Sequence, residues 1–326
     1  RLISEHRDRF VAKFGTTVCQ ELRDAQFGAD ERNPCSALIA PAAFMLLDLL
    51  EEEAEREAEA KSAQAAQPEI EVLPLEAYSL KHSQAQTEAL LAELKRRELP
   101  HEHRAWIGER LSVLGDPRSG AGLTNEGLPC FDFSEVPGGR VSVERAGEFE
   151  VQPFQIARYP VTFQQFQPFL DDPEGFCNPK WWEGLSADPE HLSAPGEQQW
   201  PLANNPRENV SWYDAMAYCR WMTSALPPAG QGEWEYRLPT EWEWQMAATG
   251  GNPDMKFPWG LDWDDGLAHT KHNQLNRTMA VGMYPAAVSP TGAHDMSGNV
   301  WEWCLNSYDD PADLDLSRAD RRVLRG

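Results

Sequence analysis

The spacing of apolar residues divides this chain into a helical first part and a loop-rich, aromatic second part. Over 44–61 an apolar run (Phe44, Met45, Leu46, Leu47, Leu49, Leu50) gives way to Glu/Ala repeats, which predicts a helix buried first and solvated later. The stretch 63–74, ending in Pro74, breaks it and reads as a linker. Leu90, Leu91 and Leu94 are the stripe of a helix over 83–98. Trp106, Ile107, Leu111 and Leu114 mark another over 102–114, stopped by Gly115, Asp116 and Pro117. His101 and His103 flank Glu102 at its start, a setting for surface capping rather than for metal.

The period shortens after the Gly/Pro-rich run 120–139. Residues 140–143 and 148–157 read as strands, and Phe166, Phe169 and Leu170 mark a short amphipathic helix after Thr162. Long loops rich in Pro, Gly and Trp fill 171–207. Ser211 is placed to cap a helix over 212–223 that presents Ala215, Tyr218, Cys219 and Met222. Thr240 with Glu243 has the spacing of a capping box, opening a helix with Trp242, Trp244, Met246 and Ala247. The pattern predicts two parts: a helical region 1–125 with a docking or linker role, and a domain over 126–326. Nothing in the first part carries recognisable chemistry.

The segment 292–303 is the densest. Two glycines, Gly292 and Gly298, precede the alternating Val300, Trp301, Glu302 and Trp303, which predicts a tight turn entering a strand. Strict alternation puts Val300 and Glu302 on one face and the two tryptophans on the other. A buried carboxylate there needs a partner. Asp295, Glu302 and the turn's carbonyls are the oxygen ligands a hard cation such as Ca²⁺ takes; the alternative is that Glu302 only accepts hydrogen bonds from turn amides.

Charge and composition narrow the partners. A net charge of -23 argues against nucleic acid and anionic membrane surfaces, which need a basic patch. No apolar run is long enough to span a bilayer. The six cysteines (Cys19, Cys35, Cys130, Cys177, Cys219, Cys304) form no C-x-x-C pair. These facts predict a cytoplasmic, reduced protein. Of 13 tryptophans only Trp106 precedes residue 180, so the second part should be rigid and loop-rich.

Six segments in order resemble one known family. They are Pro-Phe-Gln-Ile-Ala-Arg-Tyr-Pro-Val-Thr at 153–162, Asn-Val-Ser-Trp-Tyr-Asp-Ala at 209–215, and Tyr-Arg-Leu-Pro-Thr-Glu-Trp-Glu at 236–243. Pro-Trp-Gly at 258–260, the 292–303 segment and Arg-Val-Leu-Arg-Gly at 322–326 complete them. Together they resemble the sulfatase-modifying-factor domain, the family of the formylglycine-generating enzyme. The resemblance implies an irregular, loop-rich α+β domain of C-type-lectin-like fold. It implies a structural Ca²⁺ held at Asp295, Gly298, Val300 and Glu302, by side chains at the first and last and carbonyls at the other two. A second family calcium position uses a longer insertion before the Val281–Pro285 segment; here 267–279 is short and carries His269 and His272, which read as solvated.

Family enzymes oxidise a substrate-protein cysteine with O₂ and a copper ion held by two cysteines. The resemblance places that pair beyond Gly326, so the domain is expected to be truncated at its C-terminus. Cys219 and Cys304 match neither copper position and read as buried structural thiols. An iron-dependent branch carries a His-x-x-x-His-x-Glu motif in an N-terminal bundle, a spacing that 1–125 lacks. Bacterial relatives also use the domain for display, as in the variable proteins of diversity-generating retroelements. The run 114–118 resembles the segment that precedes the domain in multi-domain bacterial proteins. The expectation is therefore a non-catalytic module that binds a protein or small ligand through its C-terminal loops, with the copper oxidase as the alternative.

Overall fold

The computed structural model describes residues 75–187, 194–226 and 234–326, so the helix expected at 44–61 and the linker at 63–74 lie outside the described residues. Helix α1 (Leu75–Leu94) starts earlier than its stripe suggests and ends sooner; α2 (His101–Leu114) follows it closely. Neither helix can bury its apolar face alone. Leu94, Ile107 and Leu111 do so in one cluster with Leu267, Met279, Ala280, Met283 and Tyr284. Gly108 permits the approach, since a Cβ there would stand 2.7 Å from the Cβ of Ala280.

Arg104 fastens this contact from within. It is 2% exposed and donates to the carbonyls of Leu94 (3.1 Å), Arg96 (2.7 Å), Arg97 (3.2 Å) and Met283 (2.9 Å). It thereby satisfies carbonyls at and just beyond the end of α1 that have no helical donor. The compact unit accordingly runs Leu75–Gly326, so α1 and α2 pack within the same unit as the residues that follow them. Periodicity marked both helices correctly but could not show that their apolar partner lies some 170 residues onward.

The histidines do not cap. Pro100 holds the N-cap position of α2 with no side-chain cap bond. His101 Nδ1 meets the Tyr284 hydroxyl at 2.6 Å and its Nε2 the Asn273 amide at 3.0 Å, while His103 pairs with Glu93 at 3.1 Å.

Strands are short and form only two-stranded antiparallel ribbons among the described residues. These are β1 (Phe133–Val136) with β4 (Phe154–Ala157), β2 (Gly139–Val143) with β3 (Gly147–Val151), and β5 (Glu302–Ser307) with β6 (Arg322–Arg325). Three capped helices tie them together. Thr162 with Gln165 caps α3 (Phe163–Asp171), Ser211 with Asp214 caps α4 (Trp212–Ala225), and Thr240 with Glu243 caps α5 (Glu241–Thr249). Each is a reciprocal capping box, satisfying amides that the first turn leaves open.

Helix α4 is buried nearly all round, with Trp212, Met216, Ala217, Tyr218, Cys219, Trp221 and Met222 inside. It shares an aromatic cluster with Phe166, Phe169, Phe176, Trp181 and Trp182. Helix α5 packs Trp244, Met246 and Ala247 against Val136, Val141, Val151, Cys304 and Val323. The irregular α+β architecture with a helical N-terminal region is the one the sequence implies. No helix among the described residues is long and apolar enough to cross a membrane.

Candidate functional site

The turn before β5 is held by contacts to remote segments rather than by its own ladder. Four residues in it have positive φ: Gly292 (97°), Asp295 (56°), Gly298 (95°) and Asn299 (68°). At Gly298 a side chain is excluded twice over, by φ and because a Cβ would overlap the His269 carbonyl oxygen. Asn299 is the clamp. Its side-chain oxygen accepts from the Met279 N–H and its amide donates to the Met279 carbonyl, both at 3.0 Å, while its own N–H donates to the His269 carbonyl at 2.7 Å.

Asp295 accepts from the Gly282 N–H at 2.7 Å. Glu302 opens β5, and Val300 belongs to the turn, so the strand starts two residues later than alternation predicts. The faces differ as well. Trp301 is 72% exposed, whereas Trp303 is half-buried and donates its indole N–H to the Val210 carbonyl at 3.0 Å.

Glu302 is half-buried as a residue. One oxygen accepts from the Trp244 indole at 3.1 Å; the other, Oε1, is buried without a partner. Burial, with the negative charge of Asp295 adding to it, pushes the Glu302 carboxyl up to about 8 against the Trp244 bond. Burial likewise pushes Asp295 up to about 6, opposed by the Gly282 amide and by Arg118. Two carboxylates in one buried neighbourhood with an open oxygen and too little positive charge form an arrangement that a hard cation would complete. The oxygen donors at Asp295 and Glu302 fit that chemistry. The carbonyl of Gly298 already accepts from the Val300 N–H at 2.9 Å but retains a second lone pair. The carbonyl of Val300 faces Gly326, where any Cβ would collide with it.

The histidine pair does not converge. His269 is 6% exposed with Nε2 on the Arg277 carbonyl at 2.5 Å, correcting the solvated reading for that residue, while His272 is exposed. No group of three or more His, Cys, Asp or Glu side chains is arranged for a metal among the described residues.

Beside the turn opens a cleft of about 430 Å³, within the usual range for ligand sites. Its walls are largely aromatic and aliphatic, with Phe133, Phe154, Tyr236 and Met296 among them, and Trp234 and Trp301 stand exposed among its lining residues. His294, neutral because burial and the charges of Arg118 and Arg158 pull it down to about 4, also faces the cleft and lies against Tyr159 with ring centroids 5.0 Å apart. Cys219 contributes to the wall, and burial pushes its thiol up to about 12; Cys304, fully buried, is pushed up in the same way. Burial thus disfavours the thiolate form at both. Pattern reading missed the Asn299 clamp, the Trp244 bond and the exposed lip tryptophans. A Gly-Asn pair in a turn was the available signal for the first; nothing local signals the others.

The chain belongs to the Sulfatase-modifying factor enzyme 1-like domain family, which it matches over residues 124–326. It is 34% identical over 176 residues to hercynine oxygenase of Mycobacterium tuberculosis, covering 47% of this chain and 38% of that protein. It is 29% identical over 230 residues to inactive C-alpha-formylglycine-generating enzyme 2 of Mus musculus, covering 59% and 69% respectively. Against the formylglycine-generating enzyme of Thermomonospora curvata it is 32% identical over 138 residues, covering 39% and 42%. The chain thus spans less than half the length of two of these three relatives.

Proposed function

We propose that this domain is a non-catalytic binding module, of the display type used by diversity-generating retroelements, that takes a protein or small ligand in the aromatic cleft. The observation that carries this reading is the exposure of Trp301 and Trp234 on a cleft of about 430 Å³. Large aromatic side chains at a cleft edge are the residues that dominate binding energy at interfaces. The Cys219 thiol in the wall, pushed up by burial, supports it, as does the likeness to a mouse protein named as an inactive formylglycine-generating enzyme.

A structural Ca²⁺ belongs to the proposal, held by Asp295, the carbonyls of Gly298 and Val300, and Glu302. Its chemistry there would be charge neutralisation, which lets both carboxylates stay ionised while buried and stiffens the turn beneath Trp301.

The second reading, a copper-dependent formylglycine-generating oxidase, rests on the Thermomonospora relative. It requires a pair of thiolates, since soft ligands suit Cu(I). One experiment separates the two. Peptides selected from a displayed library on the wild-type protein should lose about ten-fold or more in affinity on Trp301→Ala, with no stoichiometric Cu(I) uptake by the full-length protein. Tight one-to-one Cu(I) binding overturns the non-catalytic reading.

A further inference from the structure

Away from the cleft, the loop after α5 carries a second aromatic surface. Phe257 stacks on Trp259 with centroids 5.4 Å apart and planes 10° apart. Trp263 closes the corner, 5.2 Å from Phe257 and 5.6 Å from Trp259. Both indole N–H groups are spent inside the loop, Trp259 on the Asp262 carbonyl at 3.0 Å and Trp263 on the Asp265 carboxylate at 2.7 Å. What Trp263 shows to solvent, at 40% exposure, is therefore ring surface, and Leu261 beside it is 64% exposed. Asp265 stands against the ring through that bond, and both it and Asp262, the residue before Trp263, are exposed. Asp264 is already occupied by Arg97 at 2.6 Å. The cluster also holds a cation of its own chain, the Lys256 ammonium 5.8 Å from the Phe257 centroid.

The geometry selects among cations. The three rings touch one another, so they enclose no space in which a quaternary ammonium could sit. What they offer is one outer ring with carboxylates alongside. A guanidinium fits this best, because it is planar, stacks flat on an indole and still presents N–H groups to a neighbouring carboxylate; an ammonium does one or the other. We propose that Trp263, with Asp262 and Asp265, is a docking site for an arginine side chain of a partner protein. The excess of acidic over basic residues, formally -23 over the chain, favours approach of a basic segment.

The probe is a labelled peptide with three arginines separated by glycines, compared with its lysine and citrulline counterparts at about 150 mM salt, where remote charges are screened. The arginine peptide should bind several-fold tighter than the lysine peptide, and the citrulline peptide should not bind. Trp263→Ala should weaken the arginine peptide roughly three- to five-fold, the range expected for one exposed cation–π contact. Asp262→Asn, at an exposed residue that cannot disturb folding, should weaken it about two-fold. The ¹⁵N indole resonance missing from the Trp263→Ala spectrum should shift when the arginine peptide is added. Equal binding of arginine and lysine peptides, an unchanged affinity in Trp263→Ala, or an indole resonance that does not move would each overturn the proposal.

Discussion

Replacing Asn299 tests how the turn that bears Asp295 and Gly298 is held. Its side chain satisfies both backbone groups of Met279, which is 3% exposed, through two bonds of 3.0 Å. Removing the amide leaves a buried N–H and a buried C=O unpaired, at about 1–3 kcal/mol each, so about 2–6 kcal/mol together. The backbone adds a separable amount. At φ 68° alanine carries about 1–2 kcal/mol of left-handed strain, whereas glycine carries none but raises the entropy of the unfolded chain by about 0.4–1 kcal/mol. Asn299→Gly should therefore cost about 2–7 kcal/mol and Asn299→Ala roughly 1 kcal/mol more. For a unit of this size each kcal/mol lowers Tm by about 2–4 °C, so the glycine variant should melt roughly 5–25 °C lower. Differential scanning calorimetry with a urea series reads both numbers. If both variants lie within about 0.5 kcal/mol of wild type, water replaces the amide and the clamp is not what orders the turn. If glycine is worse than alanine, the backbone conformation assigned to position 299 is wrong.

Further outcomes follow from neighbouring contacts. Calcium at one hundred times its Kd should stabilise the wild type by about 2.7 kcal/mol, and Glu302→Gln should abolish that gain in a thermal-shift assay with EDTA as the reference. Arg104→Lys keeps the charge but loses the fork that reaches four carbonyls, and should cost about 2–4 kcal/mol; a loss below about 1 kcal/mol would show that α1 and α2 dock without it. Burial raises the Glu243 carboxyl, but Arg237, bonded to both its oxygens at 2.7 Å, and the Thr240 amide together hold it below its ordinary value. A depressed folded-state value gives stability that is complete above the unfolded value and lost as pH falls through the folded one. Glu243→Gln should thus flatten the acid limb of the stability curve below about pH 5, and an unaltered limb would remove this pair from the account.

Local chemistry carried much of this protein in its sequence. Thr162, Ser211 and Thr240 each stand three residues before a side chain that can bond back, and all three helices begin there because a capping box needs only neighbours. The glycines announced a turn before β5 for the same reason, and the ordered motifs announced the family. What the sequence could not supply were pairings across long separations. Helix α2 was visible, but its partner segment around Met279–Tyr284 was not. That His101 would reach Tyr284, that Trp244 would meet Glu302 while leaving Oε1 open, and that Trp301 would face solvent were decided only when distant segments packed. Capping and turn geometry are properties of four or five consecutive residues. Burial of a carboxylate or exposure of an indole is a property of whatever else the folded chain brings alongside it.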